Sequence, residues 1–161
     1  MIIRPQALTA QAFAPFGTVL EAGVGPAARI NDGRTLRFGP LARLALDGED
    51  AAVVYLYRSE AVACPYPIRR LERHVRSSQL FMPLHDRPFP VVVAPPAEQV
   101  RSADVVAFMS NGHQGVCLNA DVWHHAQLTL EQAGDYLVVE SRHNPDHTRF
   151  IDLDGEALLT L

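Results

Sequence analysis

The sequence predicts an all-β fold, a sandwich or barrel. Short apolar runs rich in Val, Tyr and Phe recur through the chain, and Gly, Pro, Asn or Asp bounds most of them. Several are too short for an average helix, and their spacing of roughly 8–12 residues is that of strands in a sandwich or barrel. Size is the third observation: 161 residues, 48% hydrophobic, hold enough apolar surface for a core without disulfide staples. No repeat, charge block or Ser/Gly linker divides the chain, so residues 1–161 are expected to form a single domain.

The elements follow in order. Residues 9–14 read as a short N-terminal helix, capped by Thr9 and ended by Pro15 and Gly17. Strands are predicted over 53–57, 79–82, 89–93, 105–109, 115–118, 126–130 and 135–139. Asn31-Asp32-Gly33 is a turn signal. Residues 110–115, a polar segment with two glycines, read as a hairpin turn in which Asn111 could point inward. The tail over 154–159 reads as a closing helical turn.

Composition excludes several chemistries. The charge balance is 14 basic against 18 acidic residues, which argues against nucleic acid as a partner. Every basic residue is Arg, so a Schiff-base lysine, pyridoxal-phosphate catalysis and a P-loop ATPase are excluded. Cys64 and Cys117 stand far apart in no metal or redox spacing. No G-x-S-x-G, H-E-x-x-H or Cys/His zinc set is present. The first residues lack the pattern of a signal peptide, and no apolar run approaches the roughly 20 residues of a membrane span. A cytoplasmic location away from membranes is expected.

All seven histidines lie between positions 74 and 147. If residues 72–74 are extended, Glu72 and His74 share a face, and Gln79 follows across a turn at Ser77-Ser78. A carboxylate, an imidazole and an amide could converge there. In Val122-Trp123-His124-His125, adjacent histidines alternate faces on a strand, so only one can enter a given pocket. Arg29 and Arg34 flank the Asn-Asp-Gly turn and could clamp a carboxylate. Each segment taken alone also fits an exposed polar edge or an ordinary turn.

Taken together, the blocks resemble the ureidoglycolate lyases, formerly called ureidoglycolate hydrolases. The likeness includes the Ala12–Gly17 stretch, Ile30-Asn31-Asp32-Gly33, Leu71-Glu72-Arg73-His74, Gln79–Pro83, the Phe108–Gly115 loop and Val122-Trp123-His124-His125, in the family's order. The resemblance implies a cupin jelly-roll β-barrel. Glu72-x-His74-x4-Gln79 falls on the cupin H-x-H-x4-E spacing, and Asp121-x-x-His124 on the later G-x-x-H. After the strand ending near residue 139, relatives carry an acidic residue, Arg and Gly-Gly; here Glu140 keeps the acidic place and Arg142 the basic one, while 143–147 differ.

The resemblance further implies cleavage of ureidoglycolate to glyoxylate and urea by acid–base chemistry in purine (allantoin) breakdown. Its expected catalytic residues are Glu72, His74 and His124, with Glu72 or His74 as base and His124 as acid. Asn31, Arg34, Arg73, Gln79 and Asn111 are the expected substrate contacts, and His74 and His124 the metal ligands of a divalent ion such as nickel. No nucleotide or organic cofactor is expected, and a homodimer is. Two alternatives stay open: a non-catalytic cupin that binds a small carboxylate, and another cupin enzyme such as a metal-dependent isomerase.

Overall fold

Two sheets face each other. The computed structural model describes residues 1–48, 51–142 and 145–161. One sheet has seven strands, in the order Ile2–Ile3, Thr148–Leu159, Tyr66–His74, Trp123–His124, Pro90–Ala94, Val106–Met109, Gln6–Ala7. The other has five, in the order Gly17–Leu20, Gly115–Leu118, Gln79–Pro83, Gly134–Ser141, Ala52–Ser59. Chain neighbours such as Val106–Met109 and Gly115–Leu118 lie in different sheets, which is jelly-roll connectivity. Two small ladders are added, Ala27–Ile30 with Thr35–Phe38 and Ala61–Val62 with Thr129–Leu130.

The core lies where alternate residues of both sheets meet. Val91, Val93 and Phe108 from the seven-stranded sheet pack with Phe81, Val116, Tyr136 and Val138 from the five-stranded one. Phe13, from the one-turn helix Ala10–Phe13, closes this core edge-on against Phe108 at 5.2 Å. Burial of each such side chain stabilises by roughly 1.5–3 kcal/mol. Val92 and Ala94 point the other way and join Ile68, Leu71 and Trp123 in a second cluster. The inner face of Gly134–Ser141 runs Tyr136, Val138, Glu140, so the period that buries two apolar groups also buries a carboxylate.

The predicted helix, capped by the Thr9 side chain, and most predicted strands are present. Three readings are corrected. Residues 154–159 are strand, not helix: they belong to Thr148–Leu159, which pairs with Tyr66–His74 through an irregularity between Asp152 and Ala157. Burial of Ala157 and Leu159 at alternate positions overrides local helix propensity. Of 126–130 only Thr129–Leu130 is strand. Residues 110–114 are not a hairpin turn but carry the chain from one sheet to the other. Within that crossing Gly112 has φ +92°, and a Cβ there would lie 2.2 Å from the Asp86 carbonyl oxygen. Among the described residues, no helix is long and apolar enough to cross a membrane.

Candidate active site

The site is built on the strand Tyr66–His74. Glu72 and His74, two residues apart, face inward together. Antiparallel pairing sets His124 directly opposite Glu72, and Thr148 opposite His74. Asp121 turns the chain into that short strand at φ +69°, supplying the left-handed conformation for which the G-x-x-H pattern uses glycine. The other sheet contributes Gln79 and Glu140, which are register partners.

Glu72, His74, Gln79 and Glu140 line a cavity of about 560 Å³, together with Tyr57, Phe81 and Thr148; Leu56, 71% exposed, and Phe150, 60% exposed, stand at its rim. His124 Nε2 lies 3.5 Å from Glu72 Oε1, and His74 Nε2 lies 3.9 Å from Glu140 Oε2. Each cavity carboxylate is thus paired with an imidazole, Glu140 with His74 on the wall and Glu72 with His124 behind it. Gln79 Nε2 donates to Glu140 Oε2 at 2.5 Å, and the Tyr57 hydroxyl donates to Oε1 at 3.2 Å. His124 Nδ1 is 3.0 Å from the Val122 carbonyl oxygen, which can only accept, so Nδ1 is the donor of that contact. Thr148 Oγ1 lies 3.4 Å from His74 Nδ1.

Burial alone would raise the Glu72 pKa, but the hydrogen bond from His124 and the nearby histidines outweigh it and hold it below the usual carboxylate range. Burial, then the Glu140 charge, pushes the Tyr57 hydroxyl well above its ordinary value, so Tyr57 stays a donor.

One donor atom each from Glu72, His74 and His124 lies within 4.8 Å of the others. Gln79 Oε1 is buried beside them with no hydrogen-bond partner. Two imidazoles, a carboxylate and an unsatisfied amide oxygen fit a divalent transition-metal ion.

The structure thus brings together Glu72, His74, Gln79 and His124, with His124 set behind Glu72 and only 2% exposed. It does not bring the other four expected residues to this cavity. Arg73 falls between Glu72 and His74 on an extended strand and so points to the opposite face. There its guanidinium lies 4.5 Å over Trp123 and 3.0 Å from Asp121. Asn31 and Arg34 sit at the exposed end of the 27–38 hairpin, where Asn31 Nδ2 donates to Thr35 Oγ1 at 3.2 Å. Asn111 is exposed and donates to Glu21 Oε1 at 3.0 Å, far along the sheet from the histidines. Of the altered 143–147 segment, His143 and Asn144 lie outside the described residues.

Tyr57, Thr148 and the full weight of Glu140 were not among the site residues expected from sequence. Glu140 had a signal: it ends an alternation, Tyr136-x-Val138-x-Glu140, whose face is otherwise apolar. Tyr57 and Thr148 are ordinary strand residues with no such mark.

Comparison with known proteins agrees with the geometry. A family model described as ureidoglycolate lyase matches residues 1–156. The ureidoglycolate lyase of Pseudomonas putida (strain W619) is 43% identical over 156 residues, covering 94% of this chain and 92% of its own length. That of Pseudomonas entomophila (strain L48) is 45% identical over 141 residues, covering 87% and 83%. A whole-chain match and relatives of this identity, joined to a cavity furnished for proton transfer, place the chain in the ureidoglycolate lyase family.

Proposed function

We propose that this chain is a carbon–nitrogen lyase that cleaves (S)-ureidoglycolate to glyoxylate and urea, a step of purine breakdown. The observation that supports it most is a single cavity lined by two carboxylates and an imidazole, with a second imidazole, His124, behind Glu72. The substrate carries a hydroxyl and a urea nitrogen on the same carbon. Its hydroxyl must lose a proton, the C–N bond must break, and the departing nitrogen must gain a proton.

Glu140 accepts the hydroxyl proton. Tyr57 and Gln79 donate to it and fix its oxygens, and His74 Nε2 lies 3.9 Å away. The proton passes to the urea nitrogen as the C–N electrons depart and the C–O bond becomes a carbonyl. Glu72, His74 and His124 would hold a divalent ion, and Gln79 Oε1 faces the same space. A bound ion would supply Lewis-acid polarisation of the hydroxyl oxygen. The buried His124 acts through Glu72 rather than on the substrate directly.

We further propose one domain spanning 1–161, a homodimer, and a cytoplasmic location without nucleic-acid or membrane partners. Incubation with ureidoglycolate and colorimetric detection of glyoxylate tests the reading. Glyoxylate formed in proportion to enzyme supports catalysis; saturable ureidoglycolate binding with no turnover would leave a carboxylate-binding module instead.

A further inference from the structure

The cavity is acidic, yet the substrate proposed for it is a carboxylate. Glu72 and Glu140 both face it. Among the described residues, the guanidinium on its wall is that of Arg58, already tied to Asp135 through two hydrogen bonds of 2.7 and 2.8 Å. Arg142 borders an adjoining recess of only about 10 Å³. A free guanidinium for the carboxylate is therefore not supplied by the cavity's described residues.

The 27–38 hairpin carries three arginines, Arg29, Arg34 and Arg37, against a single acid, Asp32, and nearly all of it is exposed. Its ion pair, Arg34 to Asp32 at 3.7 Å, has both side chains more than four-fifths exposed. At the root of the hairpin, Phe38 and Leu41 border an apolar groove of about 440 Å³ floored by Leu80, Met82, Leu137 and Val139. That floor is the outward face of the five-stranded sheet. The inward face already packs in the core, so this sheet is apolar on both sides, which a sheet facing water is not. Register continues the row: Leu137 pairs with Leu56, and Val139 with Val54. Val54 is 61% exposed, and Leu56 also lines the cavity rim. One apolar row therefore runs from the hairpin root to the mouth of the acidic cavity.

We infer that a second copy of this chain covers this face and that its hairpin crosses to the mouth, where Arg29 and Arg34 bind the substrate carboxylate. A two-fold contact on a face that carries the hairpin root at one end and the cavity rim at the other gives each copy the other's arginines. Basic hairpin and acidic cavity are complementary, and a guanidinium binds a carboxylate bidentately. The identity of the ligand rests on the lyase reading; the placement of the hairpin does not.

Two chains produced in one cell test it, one carrying Arg29→Ala and Arg34→Ala, the other Glu140→Gln. Each alone should be impaired, the hairpin variant through KM, at least about tenfold, with an unchanged melting temperature. Mixed dimers should regain activity toward about a quarter of the wild-type sites, since half the dimers are mixed and each has one intact site. No regain, or a wild-type KM in the hairpin variant, overturns the inference. A second arm needs no substrate. In a Cys64→Ser background, chains with Arg34→Cys and chains with Leu56→Cys are coproduced and treated with a short bis-maleimide. A covalent 34–56 dimer supports the crossing, and its absence overturns it. If the wild type forms no glyoxylate, the lyase reading falls while the cross-link still decides the hairpin.

Discussion

Exchanging Glu140 for Gln removes the charge of the proposed proton acceptor and keeps its shape. The wild-type carboxylate accepts from Gln79 Nε2 at 2.5 Å and from the Tyr57 hydroxyl at 3.2 Å. A glutamine there still accepts from Tyr57 through its carbonyl oxygen, and its amino group then faces Gln79. Half a turn of the Gln79 amide presents Oε1, which has no hydrogen-bond partner in the wild type, to that amino group. That turn carries Gln79 Nε2 to the place where Oε1 had no partner, so one buried donor is left unpaired. The stability lost combines that unpaired donor with the exchange of a charge-assisted for a neutral hydrogen bond, about 2–3 kcal/mol. For a chain of this size that lowers Tm by about 4–12 °C. Turnover loses its base, so kcat should fall by about 10²–10⁴-fold. Steady-state glyoxylate release and a thermal melt on the same preparation read both numbers. A kcat within about threefold of wild type in a protein that melts as expected would refute the assignment of the proton to Glu140.

Three further outcomes are expected. Arg73→Lys should cost about 1–2 kcal/mol of stability by losing the planar stack on Trp123, with KM unchanged because the side chain faces away from the cavity; a melt and a KM measurement check it. Nickel or manganese at about 100 times Kd should stabilise the wild type by about 2.7 kcal/mol in a thermal shift, and His74→Ala and His124→Ala should abolish that shift. The Ser102 backbone N–H, then its hydroxyl, donate to Asp154 and hold its pKa below the usual 3.8. A depressed carboxylate pKa stabilises above the unfolded value and loses that stabilisation as pH falls through the folded one. The Tm gap between wild type and Asp154→Asn should therefore be widest near neutrality and close as pH drops below about 4.

Strand positions were legible because alternation of apolar residues needs no knowledge of the partner strand; 115–118 is strand as the pattern predicts. The tail was not legible, because its pairing partner, Tyr66–His74, lies about eighty residues away in sequence and alone makes 148–159 extended. Within the site, Glu72, His74 and His124 were found through family spacing, and their convergence is a matter of register between strands far apart in the chain. The placement of Arg73 was within reach of sequence alone: if Glu72 and His74 face one way, residue 73 faces the other. Asn31 and Arg34 are different. Their block belongs to the family pattern, yet a single chain leaves them outside the cavity, and a contact between copies is not written in the periodicity of either.

The nitrogen product tests the central claim most directly. Hydrolysis at the ureido carbonyl needs an activated nucleophile and donors aimed at an oxyanion, whereas elimination at the hydroxyl-bearing carbon needs only proton carriers. The cavity offers carboxylates, an imidazole, amides and a phenol, with Cys117 buried outside it and Cys64 on another ladder's flank. Ureidoglycolate turned over by urease-free enzyme should give urea and glyoxylate in equal amounts, with no ammonia. Stoichiometric ammonia with no urea would contradict the account.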